Sequence, residues 1–316
     1  MTGVRNISPY DRILYLKALP TIGELTSQQV ARLAGEADEV NFDAGDKLLT
    51  RGEVSRCFYV VASGTVKLSR SEGHEQLASA PDTIGFVEMF AEDTQANATA
   101  MSDVVTLKFD LTNILEVFEE DFELLQNTLR SVARAQLALL MRMIGGTRRA
   151  PWKPVVEVSH DRELDLLERL IMIRQGDLFT AVGLEAGVMM ATSMKQVSWS
   201  PGEVLWEPGD PSGSMFIIID GEIDAQLEDG QSFEAGLGYP VGNLESLAHM
   251  PRWYRPVAKT DVVALRADHE TFFDVMEDDF EVAEAFLKAM SHGILSAQDS
   301  FVARGKTYPR PGQPDR

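Results

Sequence analysis

The chain has 316 residues, a length that predicts two domains, and its 44% hydrophobic and 25% charged residues are the composition of a folded globular protein. Asp and Glu number 49 against 29 Lys and Arg, a net charge of −20 with acids in excess on both sides of Ala150, which excludes a general nucleic-acid binder because phosphate needs a basic face. The single cysteine, Cys57, excludes an internal disulfide and any multi-cysteine metal or iron–sulfur centre.

In chain order, residues 10–35 carry apolar positions at helical spacing, among them Ile13, Leu14, Leu16, Leu19, Val30 and Leu33. From Val40 to Leu107 the apolar runs are short, β-branched and broken by Gly, Asp and Ser, which predicts many short strands in a sandwich or barrel. Cys57–Ala62 and Thr65–Leu68 read as two such strands, joined at Ser63-Gly64 by a hairpin-like turn, with Cys57 a small buried residue beside Phe58. Helical spacing returns over 111–144 through Leu111, Ile114, Leu115, Phe118, Phe122, Leu125 and Leu129. Residues 148–159, opening Arg148-Arg149-Ala150-Pro151-Trp152-Lys153-Pro154, read as a linker in which Trp152 and Lys153 wedge the domains. The same order then repeats and ends in a helix from about Thr271 to Phe301, and residues 304–316, with three prolines, are expected to be a mobile tail.

The repetition has a register. Gly45, Gly52, Gly64 and Gly85 meet Gly202, Gly209, Gly221 and Gly242 at one offset of 157, along with Val40 and Val197, and Phe42 and Trp199. Glycines at one offset mark backbone sites where a side chain is costly, so the match predicts a duplicated fold. Beyond Ala248 the offset becomes 158 (Asp103 with Asp261, Leu107 with Leu265), so one residue has entered the second copy between Ala248 and Asp261. The expected organisation is domain 1 over 1–147, the linker over 148–159, domain 2 over 160–303, and the tail.

Phe42-Asp43-Ala44-Gly45-Asp46, Gly52-Glu53, Phe58-Tyr59-Val60-Val61 and Ser63-Gly64 in the first copy carry a resemblance to the cyclic nucleotide-binding domain family. Trp199-Ser200-Pro201-Gly202-Glu203, Pro208-Gly209-Asp210 and Met215–Gly221 carry it in the second. The resemblance implies an α+β fold of two tandem β-rolls (double-stranded β-helix, jelly-roll-like), each flanked by N- and C-terminal helices. In that family a phosphate-binding cassette holds the ligand. Glycine and a short helix N-terminus offer N–H groups to the cyclic phosphate, an arginine neutralises it, and a glutamate accepts from the ribose hydroxyl.

The first copy matches this cassette poorly. Gly85 stands at the glycine, Phe86 at the glutamate and Gln95, or Ala96 if aligned from Thr99, at the arginine, with Val87 and Glu88 completing the segment, and Glu88, Glu92 and Asp93 crowd it with acid. An anion buried among carboxylates without a cation costs several kcal/mol, so nucleotide binding is expected to be lost here, with Phe86 filling the pocket. In the second copy Gly242 and Pro251-Arg252 match, Asn243 replaces the glutamate, and Leu244, Glu245 and Ser246 follow. Trp253 and Tyr254 stand where small residues belong, either blocking the pocket or stacking on a base as its lid. Cyclic AMP or cyclic GMP bound in domain 2 and Arg252 as a residue paired near Glu245 both stand as readings of this segment.

Other chemistries lack their residues. His74, His160, His249, His269 and His292 show no metal-ligand spacing, no Gly-x-Ser-x-Gly elbow occurs, and no Gly-rich phosphate loop with Lys-Ser/Thr is present, so neither a metal site nor catalysis is expected. The acidic runs Glu119–Glu123 and Glu277–Glu281 read as solvated helix starts that favour the helix dipole. Bacterial transcription factors of this family add a helix-turn-helix module, for which the residues after Ala303 are too few. No apolar run reaches the ~18 residues of a membrane span and the opening residues are too polar for a signal peptide, so a cytoplasmic location is expected, with no membrane and no nucleic acid as partner. The expected function is non-catalytic regulation or scaffolding through an unidentified protein partner or a second copy of this chain, the alternative being a cyclic nucleotide sensor acting through domain 2.

Overall fold

The computed structural model describes residues 7–19, 25–71, 74–142, 147–148, 153, 155–158, 161–176 and 183–303. The expectations for half of the linker, Trp152 included, and for the tail lie outside these residues, while Lys153, expected to wedge the domains, is exposed with its N–H donating to the Gln175 side chain at 2.8 Å. The chain divides into two compact units, one drawn from Met1–Ala135 with Met290–Arg316, the other Gln136–Ala289.

In the N-terminal unit, helices α1 (Pro9–Lys17) and α2 (Ser27–Gly35) precede the strands. α2 begins at Thr26 because the Thr26 hydroxyl accepts from the Gln29 N–H while Gln29 answers with its own side chain, a reciprocal cap. Strands β1 (Asp38–Phe42), β2 (Lys47–Leu49), β3 (Cys57–Ser63), β4 (Thr65–Ser71), β5 (His74–Ser79), β6 (Thr83–Ile84), β7 (Asn97–Ala100) and β8 (Val104–Asp110) form two four-stranded sheets, with α3 (Phe86–Ala91) between β6 and β7. The orders are β1-β8-β3-β6 and β2-β7-β4-β5. This is the two-sheet roll expected from the sequence, and its core is built from alternate apolar positions such as Tyr59, Val61, Val66, Ile84, Ala98 and Val104. α4 (Leu111–Glu120) and α5 (Phe122–Met141) follow.

In the second unit, β9 (Thr147–Arg148), α6 (Leu166–Ile173) and α7 (Leu184–Ser193) lead into β10 (Lys195–Trp199), β11 (Ser214–Asp220), β12 (Ile223–Gln226), β13 (Ser232–Ala235) and β14 (Pro240–Val241). Then come α8 (Asn243–Leu247), β15 (Arg255–Ala258), β16 (Val262–Asp268), α9 (His269–Asp278) and α10 (Phe280–Ala303), whose part from Met290 belongs to the N-terminal unit. The sheets run β10-β16-β11-β14 and β15-β12-β13-β9. The duplication is exact at the ladder level: Val40 faces Thr106 in one copy and Val197 faces Ala264 in the other.

Three local expectations differ. Ser63-Gly64 is not a hairpin, because β3 and β4 lie in different sheets. The chain changes sheet at Gly64 with φ +88°, where a Cβ would stand 2.3 Å from the Asp103 carbonyl oxygen, and Gly221 repeats this at 2.1 Å from Asp261. The closing helix is two helices in each copy, broken at Asp121 and Asp279, whose backbones leave the helical region. The Asp121 carboxylate then caps α5 by accepting from Leu124 N–H at 3.1 Å. Cys57 is half-buried rather than buried, with its Sγ 3.4 Å from the Tyr59 hydroxyl.

Candidate functional site

The cassettes occupy the same place in both units. Gly85 (φ 88°) is the N-cap of α3 and Gly242 (φ 72°) that of α8, each in the left-handed conformation that starts the helix directly off the strand. The helices end alike, with Glu92 at φ 52° and His249 at φ 54°.

Backbone hydrogen bonds locate the inserted residue. Asp93 N–H donates to Glu88 O and Met250 N–H to Glu245 O, still at the offset of 157, but Gly52 N–H donates to Thr94 O where Gly209 N–H donates to Arg252 O. The extra residue is therefore Pro251, and Thr94, not Gln95, stands in register with Arg252. Thr94 is buried with its hydroxyl unpartnered, while Gln95 is half-buried and turns its amide to Asp93 at 3.1 Å. The sequence pointed to Gln95 because a one-residue gap leaves no mark among polar loop residues.

In the C-terminal roll, α8 carries Asn243, half-buried, and Leu244, Glu245 and Ser246, all buried. Arg252 and Glu245 keep 3% of their side-chain surface and stand 3.5 Å apart. The guanidinium also donates to the Gly242 carbonyl at 2.9 Å and the Ser214 carbonyl at 2.5 Å. It lies 4.2 Å over the Trp206 ring. Burial pushes the Glu245 carboxyl up, with Arg252 pulling it partly back, and burial pushes the guanidinium down, with Glu245 opposing. Tyr254 is buried and its hydroxyl accepts the Gly242 N–H at 3.0 Å, which takes the amide a cassette would turn to an anion. Trp206 stacks on Phe216 at 5.5 Å and meets Tyr254 at 5.3 Å, and Trp253 stacks on Phe233 at 6.2 Å. Pro251 is exposed. His249 and His269, read as isolated in the sequence, face each other at 5.9 Å because α9 starts beside the end of α8.

The N-terminal roll is arranged differently. Phe86, read as a plug, packs against Phe58 at 5.2 Å and Phe90 at 5.1 Å and forms one wall of a hollow of about 450 Å³. Leu49, Phe58, Phe109 and Phe118 line it, together with Gly85, Val87 and Glu88. Glu88 is half-buried and is one of the residues lining this hollow. Burial raises its proton affinity, with its own backbone N–H and Arg70 opposing and Asp93 adding to the rise. Arg70 is itself buried, donating to Asp299 at 2.7 Å and to the Gln298 side chain. Thr99 lies on β7, between Lys47 and Lys67 of the neighbouring strands.

The model of the cyclic nucleotide-binding domain matches residues 39–121 and 196–279, more than half of the chain. A cAMP-dependent protein kinase regulatory subunit of Candida albicans is 28% identical over 122 residues, 38% of this chain, which spans about a quarter (26%) of that relative. Among solved structures, the regulatory subunit of a cAMP-independent protein kinase A from Trypanosoma brucei is 17% identical at TM-score 0.36, over 95% of this chain and 98% of its own. The N-terminal domain of a transcriptional regulator from Streptomyces coelicolor is 24% identical at TM-score 0.37, over 41% of this chain and 94% of its own.

Proposed function

We propose, from the premise that the chain belongs to the cyclic nucleotide-binding domain family, that it is a non-catalytic cytoplasmic regulator whose two domains act through protein contact and have ceased to take a cyclic nucleotide. The state of Arg252 carries this reading. A phosphate-binding arginine points its donors at empty space; this guanidinium is closed in by one carboxylate, two carbonyls and an indole face. To receive a phosphate it would leave these partners, and the incoming anion would meet the Glu245 carboxylate, a like-charge encounter in a desolvated site. In the N-terminal roll Thr94 stands at the arginine position, and Arg70, the cation near Glu88, is taken up by Asp299 and Gln298. Regulation by contact also fits the name of the Candida albicans relative, a kinase regulatory subunit.

A second reading has its own support. Trp206 Nε1, Ser246 Oγ and Arg252 Nε are buried without a hydrogen-bond partner around the C-terminal cassette, and unpaired buried donors are what a ligand or ordered water would satisfy. Calorimetry of the whole chain against cyclic AMP and cyclic GMP at millimolar concentration separates the two. The first reading expects no saturable heat. Saturable heat that disappears in Arg252→Ala establishes the sensor and removes the first reading.

A further inference from the structure

The two cassettes share a carboxyl and differ in its counter-charge. Glu88 and Glu245 occupy the same turn of α3 and α8, each followed five residues on by the same backbone bond from Asp93 or Met250. Over Glu245 lies the Arg252 guanidinium, itself covered by Trp206. Over Glu88 the corresponding position is Thr94, and no side-chain donor is hydrogen-bonded to the Glu88 carboxyl among the described residues. Where the second unit packs an arginine and an indole, the first has a hollow of about 450 Å³ walled by aromatic and aliphatic side chains. That volume falls within the range of roughly 300–1,000 Å³ typical of small-molecule sites, which are mostly apolar with few placed polar groups.

We propose that this hollow binds an apolar molecule carrying one ammonium or amidinium group, whose charge sits on Glu88 where Arg252 sits on Glu245. The recognition is the reverse of the family's, a buried anion taking a cation, and it goes beyond the loss of nucleotide binding proposed above. The apolar body gains by leaving water against Leu49, Phe58, Phe86 and Phe109. The head group supplies a cationic donor to a carboxyl that otherwise accepts only from its own backbone N–H. The nearby Arg70 offsets the burial of Glu88 only in part, and it is itself hydrogen-bonded to Asp299 and Gln298.

Calorimetry of the whole chain with 4-phenylbutylamine, 4-phenylbutanol and 4-phenylbutyrate tests this, the three probes differing only in the head. The amine is expected to bind at least about tenfold tighter than either isostere, and Glu88→Gln is expected to bring the amine down to the alcohol. A second readout uses the unaltered protein. The amine needs an ionised Glu88, so its affinity rises with pH as the buried carboxyl loses its proton, whereas the alcohol's does not. The charged groups facing Glu88 in this reading are Arg70 from β4, Asp93 after α3, Asp82 from the lining loop and, through Arg70, Asp299 of α10. Absence of amine binding at 2 mM probe, equal affinity for alcohol or carboxylate, or a pH-independent amine would each overturn the proposal. Cyclic AMP titrated alongside reads the loss of nucleotide binding separately, since heat from it bears on that reading and leaves the ranking of the three probes intact.

Discussion

Replacing Arg252 by alanine separates a structural arginine from a ligand-binding one. The substitution leaves the Glu245 carboxylate buried without its cation and deprives the Gly242 and Ser214 carbonyls of donors. Removing one partner of a buried pair costs about 3–5 kcal/mol, because the remaining charge stays desolvated. At ~2–4 °C per kcal/mol for a unit of this size, the melting temperature should fall by roughly 6–20 °C. Both partners shift against their charged forms, so the pair's mutual attraction does not repay its burial. Arg252→Met combined with Glu245→Leu should therefore be neutral or more stable than the starting protein, in a range up to about 4 kcal/mol. The assay is urea unfolding followed by tryptophan emission. All four tryptophans fall within Gln136–Ala289, Trp199, Trp206 and Trp253 in the C-terminal roll, and none falls within Met1–Ala135 or Met290–Arg316. A single-variant midpoint within ~0.5 kcal/mol of the original, as for an ordinary surface change, would refute the argument.

Glu88 predicts a pH dependence of the N-terminal unit. Its proton affinity is raised in the folded state, so the stability it contributes is full below the ordinary glutamate range and is lost as pH rises through the folded value, by at most about 1.4 kcal/mol per pH unit. Glu88→Gln should match the original at pH 4.5 and exceed it increasingly toward neutrality, measured by circular dichroism in urea. Among glycines, Gly64→Ala and Gly221→Ala should each cost more than the ~1–2 kcal/mol of a left-handed non-glycine residue, since the new Cβ meets a carbonyl oxygen at 2.3 and 2.1 Å. Gly45→Ala, with open space around it, should stay within that range, and thermal melts of the three variants give the order.

The repeat was legible because φ-positive glycines leave a mark in sequence wherever a side chain would strike backbone, as at Gly64 and Gly221. The proximity of Arg252 and Glu245 was also readable, seven residues apart across a cassette of known shape. The break at Asp121 was not, because apolar positions run through it at helical spacing (Phe118, Phe122, Leu125) and only the backbone of one residue departs. Thr94 escaped because a gap in a polar loop conserves the pattern on either side. Phe86 was read as a plug because a large apolar residue in a pocket sequence suggests filling; packed on Phe58 and Phe90, it clads a wall instead. Composition reports which residues are apolar and is silent about the space between them.

The sharing of α10 between the units bears on how the molecule can be dissected. Ile294, Leu295, Ala297 and Phe301 are buried on the stretch that groups with the first unit. A fragment ending before the second copy would forfeit that cladding and strip Arg70 of its two acceptors, while the complementary fragment would carry this apolar stretch, Met290 included, without the unit it groups with. Expression of either half is better planned with residues 290–303 grafted onto the first by a short tether than by severing the chain where its repeat suggests.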